Sequence, residues 1–89
     1  MKYTLVLRAT RNNKPLSFFL KLDEAIPLET KIFLANVGEI TSIDNAFFCP
    51  KANELQYYLK LDSGVNHLSE ITRETIKDFV SRNWTVENY

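Results

Sequence analysis

The alternation of apolar and polar residues on both sides of Arg11-Asn12-Asn13-Lys14-Pro15 leaves this chain few ways to begin folding. Tyr3 to Thr10 is rich in β-branched and apolar residues, and Leu16 to Asp23 alternates again. Runs of this kind separated by turn-forming residues read as a β-hairpin. Asn12 and Asn13 tolerate the left-handed backbone angles that tight hairpin loops need. Pro15 has no N–H to donate, so it belongs at the start of its strand.

Successive strand residues point to opposite faces. Leu16, Phe18, Leu20 and Leu22 therefore share one side, and Ser17, Phe19, Lys21 and Asp23 the other. On the first strand, Tyr3, Leu5, Leu7 and Ala9 are expected to face the core. Lys2, Thr4, Val6, Arg8 and Thr10 are expected to face outward. A one-residue slip would bury Lys21 and Asp23, so the register is well specified.

A second hairpin is expected from Ala46-Phe47-Phe48-Cys49 and from Leu55 to Asp62, joined through Pro50-Lys51-Ala52-Asn53-Glu54. Leu55, Tyr57, Leu59 and Leu61 make its inner face, and Gln56, Tyr58, Lys60 and Asp62 its outer one. The stretch between the hairpins has two readings. Lys31 to Ala35 reads as a buried strand, with a turn at Asn36-Val37-Gly38 and a return over Glu39 to Ile43. The competing reading is a short helix with Pro27 at its first position and Gly38 beyond its end. The strand is preferred, although a short apolar run cannot be assigned by periodicity alone.

The C-terminal part reads as a helix over residues 72–83. Thr72 suits the N-cap, and Ile71 and Ile76 occupy the positions of a hydrophobic staple. Ile76, Phe79 and Val80 make an apolar stripe at helical spacing. Asp78 and Arg82 form an i,i+4 pair, while Arg73/Lys77 and Glu74/Asp78 repel, so packing must hold the helix. Trp84 is expected to cover the core just beyond its end.

These readings give a single α+β domain over residues 1–89. It is a small, mostly antiparallel sheet built from two β-hairpins plus a middle segment, with one C-terminal helix packed on it. The segments Phe18-Phe19-Leu20-Lys21-Leu22-Asp23 and Tyr57-Tyr58-Leu59-Lys60-Leu61-Asp62 echo each other. The segments before their turns do not match, so convergence on a half-buried strand pattern explains the echo better than duplication does.

Cys49 is the only cysteine, so no intramolecular disulfide can form. A small domain without such staples points to a reducing compartment, and a cytoplasmic location is expected. The first apolar run is too short for a signal peptide, and no stretch approaches the ~20 apolar residues of a membrane span. No membrane partner is therefore expected.

Catalytic chemistry finds little support. Cys49 and His67 are each unique and lie far apart in sequence. A cysteine beside aromatics, as in Phe48-Cys49-Pro50, is usually a small core residue. One His and one Cys cannot close a zinc site. Asp44, Glu54 and Asp62 lack the spacing of a calcium loop. No catalytic residue, metal or cofactor is expected.

Charge offers more. The formal net charge is zero, but residues 1–22 hold Lys2, Arg8, Arg11, Lys14 and Lys21 and no acid. The remainder has 6 basic against 11 acidic residues, a balance of −5. Such asymmetry either marks a binding face or is neutralised within the fold. Phe19 and Tyr58 sit beside lysines on outward strand faces, and exposed aromatics are frequent interface anchors. The expected function is a non-enzymatic protein-binding or regulatory module, with Arg8, Arg11, Lys14, Phe19, Lys21, Tyr58 and Lys60 as contacts. Its partner would be another protein or a second copy, giving a homodimer. The alternative is a nucleic-acid-binding protein using the basic N-terminal hairpin, with phosphates on the cations and a base on Phe19.

Overall fold

The computed structural model describes residues 1–88. Along the chain, β1 (Lys2–Arg11) and β2 (Lys14–Leu22) are followed by β3 (Lys31–Leu34), β4 (Glu39–Cys49), β5 (Glu54–Leu61) and β6 (His67–Leu68). Helix α1 (Arg73–Ser81) and β7 (Thr85–Glu87) complete it. The strands form one sheet in the order β3-β4-β5-β1-β2-β7, with β6 pairing on β1.

The first hairpin forms as its sequence dictates. Asn12 and Asn13 alone make the turn, with φ of 54° and 61°, as a two-residue loop matched to strand twist requires. Arg11 and Lys14 extend the ladder to its very end. The middle segment is strand. Gly38, at φ 68°, closes the turn after β3 by donating its N–H to the Leu34 carbonyl at 2.8 Å. Glu39–Ile43 and Ala46–Cys49, expected as separate pieces, are one continuous strand, β4. A bulge between Ile43 and Asn45 resets its register against β5. The extra residue, Asp44, shifts the alternation by one, so that Thr41 and Ile43 face the helix side before it and Ala46 and Phe48 after it. β4 thus belongs to two hairpins at once.

The two halves join through a parallel pairing of β1 with β5, from Lys2 opposite Glu54 to Val6 opposite Tyr58. β7 lies antiparallel to β2 and therefore parallel to β1 and β5. The chain from β5 to β7 must cross over β1 and β2, because parallel strands need a crossover connection. α1 is that crossover, and it covers one face of the sheet. The Phe79 ring stacks on Phe18 with centroids 4.3 Å apart, and Trp84 meets Phe79 edge-on at 5.4 Å. Leu5, Leu7, Leu16, Tyr57, Leu59 and Ile76 fill the same core. The loop after β2 serves this face too: the Ile26 N–H donates to the Tyr57 hydroxyl at 3.3 Å. Both covering elements lie on the same side, so among the described residues the opposite face of the sheet has no second layer.

Three expectations need correction, and one strand was not expected. The helix spans Arg73–Ser81, with Thr72 as N-cap and Arg82 as C-cap, rather than 72–83. Val80 is 50% exposed, so the stripe is Ile76 and Phe79. The free edge of β2 is closed by β7, a strand too short for its pattern to show. Thr4 and Val6 do point away from the helix, yet they are 3% and 2% exposed. They lie on a strand flanked on both sides, where taller neighbours cover short side chains. Val6 sits between Phe19 and Tyr58, and Thr4 between Lys21 and Gln56.

The cap is testable. The Thr72 hydroxyl accepts from the Thr75 N–H at 3.1 Å. Thr72→Ala is expected to lose about 1 kcal/mol in urea denaturation, and Thr72→Ser to retain most of it.

Candidate interaction surface

The uncovered face can be read directly from the register. Across its middle run Asn45, Tyr58, Val6, Phe19 and Thr85, one from each neighbouring strand. Phe47 joins this row from β4, its ring edge-on to Tyr58 with centroids 5.4 Å apart. Phe47 is 54% exposed, and Tyr58 and Phe19 are half-buried. Towards the β3 edge, Phe33 and Ile40 pair directly, 63% and 44% exposed. Five apolar or aromatic side chains thus meet solvent on one face of a small sheet.

The echoing segments explain part of this arrangement. They become β2 and β5, and their second aromatics, Phe19 and Tyr58, stand opposite Val6 from either side.

Tyr58 is held in place. Its hydroxyl donates to Gln56 Oε1 at 3.0 Å, and Gln56 Nε2 donates to Glu54 Oε1 at 2.7 Å. Thr4 Oγ1 donates to the other Glu54 oxygen at 2.8 Å. Above the ring lies Arg8, its guanidinium carbon 5.0 Å from the centroid, within the range of a cation–π contact. Such restraint reduces the ordering cost of binding.

The seven residues expected as contacts divide. Arg8, Phe19, Lys21, Tyr58 and Lys60 share the uncovered face. Arg11 and Lys14 pair at the hairpin tip with the parity of Leu16 and Phe18, the helix side, where they line a cleft with Leu16 and Asn88. Phe47, Phe33 and Ile40 were not expected there. The signal for Ile40 and Phe47 was the alternation of β4, obscured by the bulge at Asp44, while Phe33 stands on the four-residue β3, too short for a period to show.

Part of the charge split is met locally. Glu70 accepts from the Asn13 N–H beneath the basic tip, at 3.3 and 3.4 Å, and Lys2 stands opposite Glu54. Among the described residues, ion pairs form between Lys31 and Asp62 and between Arg82 and Asp78. None involves Arg8, Lys21 or Lys60.

Cys49 stands opposite Glu54 and His67 opposite Arg8, so they lie about 20 Å apart along the strands at ~3.3 Å per residue. Among the described residues, no group of three His, Cys, Asp or Glu side chains could hold a metal ion, and no helix is long and apolar enough to cross a membrane. Comparison with protein-family models, with curated proteins and with solved structures finds no match to this chain.

Proposed function

We propose that this protein is a non-enzymatic, cytoplasmic binding module, an adaptor, inhibitor or small subunit, that recognises another protein on the uncovered face of its sheet. The observation that carries this reading is the cluster in which the exposed Phe47 and Arg8 both pack on the half-buried Tyr58, itself tied down by its hydroxyl's hydrogen bond to Gln56. Hot spots favour such aromatic and arginine anchors. An antiparallel sheet can leave one face to water, but that face is then mainly polar. The edges are poorer candidates: β7 closes one, and β3 at the other is short and carries Lys31, features that discourage strand addition. This also counts against a homodimer built by edge pairing.

Selection of peptides from a displayed random library tests the proposal. Selected peptides are expected to bind with affinities on the order of micromolar and to lose about tenfold or more with Phe47→Ala or Tyr58→Ala. Val80→Ala, on the exposed side of α1, is expected to leave binding unchanged. Selected peptides that are indifferent to the two sheet substitutions and sensitive to Val80→Ala would overturn it.

Lys21 and Lys60 beside aromatics favour nucleic acid as a second reading. Against it, Arg8 already occupies one face of the Tyr58 ring, where a base would stack. Anisotropy with labelled mixed-sequence oligonucleotides decides between them. Binding that weakens steeply with salt and is lost in Lys21→Glu would favour the second reading.

A further inference from the structure

Resting on the reading of the uncovered face as a protein-binding surface, we infer that a second copy of this chain covers that face when no other partner is bound. The two sheets pack face to face about a two-fold axis that runs along β1. Three observations carry this.

The first is the layout of charge. Lys60 stands two residues beyond Tyr58 on β5, and Glu87 two beyond Thr85 on the parallel strand β7, opposite Ser17. They flank the aromatic row at one end, Lys60 on the β5 side and Glu87 on the β2 side. At the other end the signs are exchanged. Glu54 lies on β5, four residues before Tyr58, and Lys21 on β2, opposite Thr4. The four corners of the face thus alternate in sign, cations on one diagonal and carboxylates on the other. A two-fold along β1 exchanges the β5 side with the β2 side. It brings Lys60 of one copy towards Glu87 of the other, and Lys21 towards Glu54. A surface that meets itself about a two-fold must be complementary to itself, and this layout is.

Arg8 fits the same arrangement. It lies on the axis, but its guanidinium leans over Tyr58, so the two arginines stand on opposite sides of it. Each then faces Ser17 and Glu87 of the other copy. Asp44 shares a cleft with Arg8. Arg8, Lys60 and Asp44 of one copy with Glu87 of the other make two cations and two carboxylates. Lys2, at the start of β1, is exposed and keeps its ammonium in water.

The second observation is the echo. Its two strands flank β1, with Tyr58 and Phe19 level with Val6 on either side. The axis passes through Val6 and lays Tyr58 on Phe19 of the second copy, and Phe19 on its Tyr58. Stacked or edge-on aromatic pairs contribute more than their area. The charged corners then form the polar rim around an apolar centre. Sheets packed with their strands aligned sit about 10 Å apart, within reach of the long side chains at the corners.

The third is size. The two longer dimensions of the molecule are 33 and 26 Å. They match the length of the ten-residue β1 and the width of six strands, at ~3.3 Å per residue and ~4.8 Å per strand. The face is therefore on the order of 800 Å², what each partner contributes to a stable interface.

Sedimentation equilibrium tests this. The wild-type chain is expected to dimerise with a dissociation constant on the order of micromolar. Lys60→Glu and Glu87→Lys are each expected to weaken the dimer about tenfold or more, because each sets two like-charged pairs across the two-fold. An equimolar mixture of the two variants is expected to recover wild-type association, since both contacts of the mixed pair again join opposite charges. Among the described residues neither side chain takes part in an ion pair, so both variants are expected to keep the wild-type melting curve in dilute solution. A mixture that associates no better than either variant alone would overturn the inference, as would assembly beyond the dimer. So would a wild-type chain that stays monomeric up to about millimolar concentration. If library-selected peptides still bound that monomer at Phe47 and Tyr58, the second copy would be excluded and the binding face would stand.

Discussion

Phe79→Ala is expected to destabilise the domain by about 3–5 kcal/mol, the range for deleting a fully buried phenylalanine. Phe79 has no exposed surface. Its ring is the point where helix meets sheet, stacked on Phe18 and met edge-on by Trp84. Removing it leaves a cavity among rings that cannot collapse together, since Phe18 belongs to a strand paired on both sides. A loss of this size is comparable to the whole stability of a small domain, usually about 5–15 kcal/mol. Urea denaturation followed by circular dichroism should show the midpoint fall sharply or the folded state disappear. An unchanged curve would mean that α1 does not pack on β2.

Val6→Asp is expected to be nearly as damaging, and it probes the other side of the sheet. On alternation alone, Val6 is an outward residue and should accept a charge at little cost. In the fold it is 2% exposed, walled by Phe19 and Tyr58. A carboxylate there would lose its water and gain no partner, a penalty of several kcal/mol. Val6→Ala is expected to cost less, since it only removes methyl groups. If Val6→Asp melted like the wild type, the aromatic row would have to be open and mobile, and the proposed surface would lose its preformed shape.

These two substitutions also show what can be read from the sequence alone. Strand alternation, turn residues and the Thr72 cap are local signals, so the first hairpin, the inner faces and the helix follow from them. Burial of Val6 is not local. It depends on which strands flank β1, and the parallel β1–β5 pairing leaves no mark in the alternation. β6 and β7 are too short for a period to develop, and β7 gains its place only by pairing with β2. The bulge at Asp44 hides the continuity of β4, and with it the position of Phe47. The face was legible in Arg8, Phe19, Lys21, Tyr58 and Lys60, because strand parity places each of them. Arg11 and Lys14 share the charge of that group but not its side of the sheet.

The topology explains why the two faces differ. Once β5 and β7 run parallel, the connection between them must cross the sheet, and it can cover only one side. Among the described residues, no layer covers the apolar side chains on the other side.

Nuclear magnetic resonance mapping tests that account most directly. The amides of uniformly labelled protein would be followed while a library-selected peptide is added. The largest shift changes are expected at Val6, Arg8, Phe19, Lys21, Phe47, Tyr58 and Lys60, with α1 undisturbed. Changes centred instead on α1 and on the groove lined by Val37, Leu61, Val65 and Leu68 would contradict it and place recognition on the helix side.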